Sequence, residues 1–240
     1  MIELKKLIPT FVALAVVLLT SKLGFWQLDR AHEREAQAVR RNKLHFAQPI
    51  ALGPELVNAA QVLDYPAQAS GHWISEKMIW LDNRIYQGQA GYEVLMPLRI
   101  TGTNSYIIVN RGWIHATDSR KVLPAFKTGH DLQTVEGIIH QRTPRVAYMG
   151  KAAREGAVWS ELEPGAYAAW SGLRVQPVIL YQTNNVPDGL VRDWPKAGSG
   201  ADRNRGYAIQ WFSMALTTFS IWAYYLLRRK RQNTREIRVA

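Results

Sequence analysis

From Tyr207 to Leu227 the chain reads YAIQWFSMALTTFSIWAYYLL, with no charge, no proline and no glycine. A helix of this length at about 1.5 Å per residue covers the roughly 30 Å hydrocarbon layer of a bilayer. Tyr207, Trp211 and Phe212 stand at one end and Trp222, Tyr224 and Tyr225 at the other, where amphipathic rings suit a membrane–water interface. The alternative is the core helix of a soluble protein, but such a helix rarely lacks a polar face over this length. Arg228, Arg229, Lys230 and Arg231 follow at once. Moving that block across a membrane is costly, so residues 228–240 are expected to stay cytoplasmic.

A second apolar run starts near the N-terminus, after Lys5 and Lys6, and continues to Leu28 if Lys22 extends its ammonium to the interface. No A-x-A-like cleavage site follows it, so residues 7–28 read as an uncleaved anchor and residues 1–6 as a cytoplasmic tail. Two spans place residues 29–206 outside the cytoplasm. Four arginines just after the first span (Arg30, Arg34, Arg40 and Arg41) oppose that orientation weakly, because the charge rule loses force across a long loop. The chain carries a net charge of +11, and about half of the excess lies beyond Leu227. That distribution favours anionic head groups over nucleic acid as the partner. With no cysteine there is no disulfide, no thiolate metal site and no covalent c-type haem attachment.

Residues 29–44 are rich in Ala, Glu, Gln and Arg, which predicts that the first helix continues out of the membrane. From Tyr65 short β-rich runs alternate with turn residues. They predict strands at Tyr65–Trp73, Met78–Asp82, Tyr92–Ile100, Tyr106–Asn110, Thr134–His140, Val158–Glu161 and Val178–Thr183. Thr101–Asn104 reads as a hairpin turn, Glu163–Leu173 as a short helix and Ala197–Gly200 as a flexible linker. The expected fold is two transmembrane α-helices flanking a small α+β, mainly antiparallel β, extracytoplasmic domain. Nucleophile-elbow, zincin, P-loop and dinucleotide fingerprints are missing, so no catalytic residue is assigned. Acids such as Glu93 and Glu136 are scattered. The six histidines lie outside both apolar runs and show no H-x-H or H-x-x-x-H spacing, which leaves no metal site to name.

Several short blocks then combine. Leu23-Gly24-Phe25-Trp26-Gln27-Leu28-Asp29-Arg30, Asn83-Arg84, Gly91-Tyr92, Pro97-Leu98, Val109-Asn110-Arg111-Gly112-Trp113 and Gly206-Tyr207-Ala208-Ile209-Gln210-Trp211-Phe212 resemble, in order and spacing, the signatures of the surfeit locus protein 1 family. The resemblance implies a multi-pass inner-membrane protein, not an enzyme, that assists biogenesis of haem–copper terminal oxidases. Its partners would be the catalytic subunit, other assembly factors and the bilayer, and its task helping haem a insertion or protecting that subunit. A two-span sensor or scaffold without a haem role is the competing reading.

The resemblance also suggests cofactor contacts at Trp26, Arg203, Asn204, Arg205, Tyr207 and Trp211. Arg suits haem propionates because it makes two-pronged bonds to carboxylates. In the family pattern a His stands three residues before the Tyr of the last block, and here that position is Asn204. Arg84, Arg111 and Trp113 suggest a partner-docking surface. The plainer alternatives are an interfacial anchor for Trp26, charges that stop helix sliding for Arg203 and Arg205, and a structural turn at Asn110–Trp113. In that turn Gly112 would supply φ > 0, Trp113 would pack into the β core and carbonyls or a carboxylate would hold Arg111.

Overall fold

A computed structural model describes residues 2–117, 122–144, 154–194 and 198–239. The chain divides into two compact units, Met1–Arg40 with Lys196–Ala240, and Arg41–Pro195. Helix α1 covers Ile2–Leu44 and helix α4 covers Ala201–Val239. Between them lie β1 (Ile50–Ala51), α2 (Ala59–Val62), β2 (Pro66–Trp73), β3 (Ile79–Tyr86), β4 (Gln89–Ile100) and β5 (Tyr106–His115). They are followed by β6 (Gln133–His140), β7 (Arg154–Glu155), β8 (Val158–Trp159), α3 (Pro164–Ser171) and β9 (Val175–Gln182).

In the helical unit α1 and α4 run antiparallel. Thr20, Gly24, Ala31 and, half-buried, Gln27 form the inward stripe of α1, and Ala201, Asn204, Ala208 and Ala215 that of α4. The three-and-four spacing of these positions is that of a two-helix seam. Small side chains let the backbones approach closely: a Cβ at Gly24 would lie 2.7 Å from the Phe212 ring. Among the described residues, α1 from Leu7 onward is long and apolar enough to cross a membrane. The 207–227 stretch lies wholly within α4, where Trp, Tyr, Ser and Thr dilute its hydropathy.

In the other unit, β2, β6, β9, β5 and β4 close into a five-stranded barrel, with β4 returning to pair with β2. Only the β5–β9 contact in this ring is parallel. Closure leaves the ring no free edge. β4 makes it possible by serving two partners: Gln89–Leu95 pair with β3 and Leu98–Ile100 with β2. Pro97, which has no N–H to offer, sits at the changeover. Period-two alternation then sorts the cores. Ala67, Ala69, Leu98, Ile107, Val109, Val178 and Leu180 belong to one cluster. Ile108, Ile179, Leu81 and Leu95 belong to a second, with Trp159 and with Tyr167 of α3.

The predicted strands recur with shifted ends: β3, β4 and β5 are longer than expected, β8 is only Val158–Trp159, and β1 and β7 were not expected; Thr101–Asn104 is a turn. The expectation of a turn at Asn110–Trp113 is corrected. These residues lie inside β5, and Gly112 has φ 145° within a strand. Gly91, just ahead of the strand expected at Tyr92–Ile100, sits inside β4. The expected linker begins at Ala197, outside the described residues, and Gly198–Gly200 lead into α4 without helix.

Candidate functional site

Both Asn-Arg blocks fall on β-bulges that face the same half of β4. Between β3 and β4 the register slips after Leu81, which pairs with Glu93, so that Arg84 pairs with Gly91. Asn83 takes φ 59° at that slip. Between β4 and β5, Val94 pairs with Gly112 and Leu95 with Asn110, which leaves Arg111 as the extra residue. A bulge re-aims the side chain it carries, and this one turns Arg111 inward. Gly91 has no side chain because the Trp113 indole occupies that place: a Cβ there would meet the ring at 2.4 Å. The indole Nε1 donates to the Arg84 carbonyl at 2.9 Å. Three of the sequence blocks are therefore one clamp across β3, β4 and β5.

Arg111 is buried. Its guanidinium lies over the Trp73 ring at 4.6 Å and over Phe126 at 5.1 Å. It donates to Thr128 Oγ1 at 2.8 Å and to the Lys127 carbonyl at 3.2 Å, and it pairs with Asp188 at 2.9 Å. Arg192 closes on the same carboxylate oxygen. Burial pulls the Arg111 pKa down and Asp188 pushes it back up. Arg84 donates to the carbonyls of Pro144 and Ser160 at 3.0 and 3.2 Å. Its Nε lies 3.9 Å from Glu93 Oε1. Glu93 accepts from the Asn110 amide at 2.7 Å. Burial holds the Glu93 carboxyl above the ordinary carboxylate range, while Arg84 and Asn110 pull it partly back. Burial also raises the Tyr181 hydroxyl, with Glu93 adding to the rise. Among the described residues no group of three or more His, Asp or Glu is placed to hold a metal ion.

In the helical unit Asn204 is buried, and its amide donates to Gln27 Oε1 at 2.9 Å across the seam. The next residue, Arg205, pairs with Glu35 at 2.5 Å, and Arg34 donates to the Gly200 carbonyl at 3.4 Å. Phe25 meets Phe212 edge-on with ring centres 5.1 Å apart. The first and last sequence blocks, separated by nearly the whole chain, thus form one helix–helix joint.

A family model described as the SURF1 family matches residues 14–216. This protein belongs to the SURF1 family. Similar proteins carry the same description at low identity. A SURF1-like protein of Monosiga brevicollis is 22% identical, with 94% of this chain and 89% of that protein covered. An uncharacterized SURF1-like protein of Mycobacterium tuberculosis is 25% identical over 93% of this chain and 87% of its own length. A SURF1-like protein of Rickettsia felis is 24% identical over 89% and 95%.

Against this SURF1-family frame the expected site residues separate. Asn204 and Arg205 lie at the helical joint, paired with Gln27 and Glu35, which the expected site did not include, whereas Trp26, Arg203 and Tyr207 are exposed and Trp211 is half-buried on the same unit. Arg84, Arg111 and Trp113 are buried inside the β unit. They hold strands together from inside the unit, and the structure does not bring these three side chains to an exposed face. Asp188, Glu93 and Tyr181 were not singled out by sequence. Asp188 is 77 residues from the arginine it neutralises, and no local pattern marks it.

Proposed function

We propose that this SURF1-family protein is an assembly factor for a haem–copper terminal oxidase of the cytochrome c oxidase type, held in the cytoplasmic membrane by both long helices. The observation that carries this reading is the family match, which runs from α1 through the whole barrel into α4. The charge-free 207–227 stretch and the basic block after it support a second span in α4, with both termini cytoplasmic and the barrel outside. The protein performs no reaction of its own. It holds or protects the oxidase catalytic subunit while haem a is inserted.

Haem a is implied by the family, and the residues at position 204 do not fit an iron ligand. An amide is a poor donor to haem iron beside an imidazole, and Asn204 is buried with its amide committed to Gln27. His32 is the one histidine in the two long helices, and it lies exposed on α1. No ligation step is derived through this chain. Deleting the gene and recording reduced-minus-oxidised membrane spectra with oxidase activity tests the reading. Loss of the oxidase haem a signal is expected, with full restoration by Asn204→Ala. An unchanged spectrum would sink it. For topology, an active alkaline phosphatase fusion at Ala240 would overturn the orientation, and activity is expected instead near Thr117.

A further inference from the structure

The two long helices do not close against each other along their whole length. Near the start of α1 and towards the end of α4 they leave a groove of about 460 Å³. Val12, Ala13 and Val16 line one wall, and Thr218, Ile221 and Trp222 the other. The lining is apolar apart from the Thr218 hydroxyl and the polar ring atoms of its aromatics. Val12 and Ile221 are exposed along its edges. Ala13 and Thr218 are too small to fill the space between the backbones. The size is that of a small-molecule site. From Pro9 to Val16 the groove runs roughly 10 Å along α1 at about 1.5 Å per residue.

One end of the groove is followed by charge: Arg228, Arg229, Lys230 and Arg231 begin one turn after Tyr225. Over residues 218–231 the sequence carries no acid against those four cations. An apolar slot with a cationic rim matches a molecule with a hydrocarbon chain and an anionic head. A partner helix or a neutral lipid would gain nothing from the rim, whereas anionic lipid gains from each nearby cation.

We propose that this groove is a binding site for one anionic phospholipid, with an acyl chain between α1 and α4 and the phosphate against the basic rim. The inference rests on the reading that both helices cross the membrane. The test uses the full chain in mild detergent, incubated with phosphatidylglycerol or with phosphatidylcholine of the same acyl chains, and native mass spectrometry. One phosphatidylglycerol should be retained under conditions that strip phosphatidylcholine. Ala13→Trp, which fills the groove, should abolish retention, and Leu18→Trp, on an exposed position outside it, should not. Replacing both Arg228 and Arg229 with Gln removes two charges outside the groove lining and should weaken retention by about tenfold or more. Equal retention of the two lipids, or a rim variant that binds like the parent, would overturn the proposal. Carbonate extraction of the same membranes separates the two failures. Release of the protein would remove the membrane reading and this site with it. Firm insertion with equal lipid retention would remove the site alone.

Discussion

The barrel and the helix pair both place polar side chains where apolar ones would be expected, and they do so in different ways. In the barrel a carboxylate, Asp188, is shared by two buried guanidiniums, Arg111 and Arg192. In the helix pair two neutral amides, Gln27 and Asn204, face each other. A buried charge that loses its partner keeps its full desolvation penalty. A neutral amide that loses its partner forfeits about one hydrogen bond. Breaking the barrel network at one member is therefore expensive, whereas breaking the helical pair has a modest cost.

The largest expected effect separates the two cases most sharply. Asp188→Ala should cost about 3–5 kcal/mol, because two guanidiniums remain buried without a counter-charge. The urea midpoint of the full chain in detergent, followed by tryptophan fluorescence, reads this directly. A loss under about 1 kcal/mol would mean that the ionic network is replaceable, as a surface pair would be.

Gly112→Val should cost about 1–3 kcal/mol by the same measurement. Its φ of 145° suits glycine, and a Cβ would lie 2.8 Å from the Val191 carbonyl oxygen. An unchanged midpoint would show that the bulge next to Arg111 can relax, and the barrel would look as forgiving as the helices.

Asn204→Leu should weaken helix pairing by roughly 0.6–1.7 kcal/mol, the range of hydrogen bonds between membrane helices. Adding Gln27→Leu should restore part of the loss, since two apolar groups replace two polar ones. If the double variant is worse than the sum of the singles, the amide pair is not the simple hydrogen-bonded pair described above.

The smallest effect concerns pH. The folded state raises the Glu93 carboxyl above its ordinary value of 4.5, so it favours the neutral form. Its contribution is fully present below that value and is lost as pH rises through the folded pKa. Glu93→Gln should flatten the stability profile over this window and leave the acid side nearly unchanged. A parent profile that rises through the same window with the variant's would mean that Arg84 and Asn110 outweigh burial.

Much of the β unit was legible as alternation. Val109 and Ile107 point one way and Ile108 the other, and apolar runs marked seven of the described strands, whereas the two-residue strands β1 and β7 are too short to carry a period. The bulges were not legible, because a one-residue slip between strands leaves no trace in either strand's own pattern. Asn110-Arg111-Gly112-Trp113 looks like a turn by its residue types, since glycine and asparagine both suit tight geometry. Pairing with Glu93, Val94 and Leu95 across β4 keeps it extended.

By itself the sequence determined two long apolar segments, a basic end and a β-rich middle, since those follow from composition and local period. It also carried the family blocks. Tertiary structure alone decided that Gln27 meets Asn204, that Trp113 fills the space over Gly91 and that Asp188 neutralises Arg111. The physical reason is range. Helix and strand periods are written in neighbours a few residues apart, whereas barrel closure, bulge register and charge pairing join residues tens to nearly two hundred positions apart.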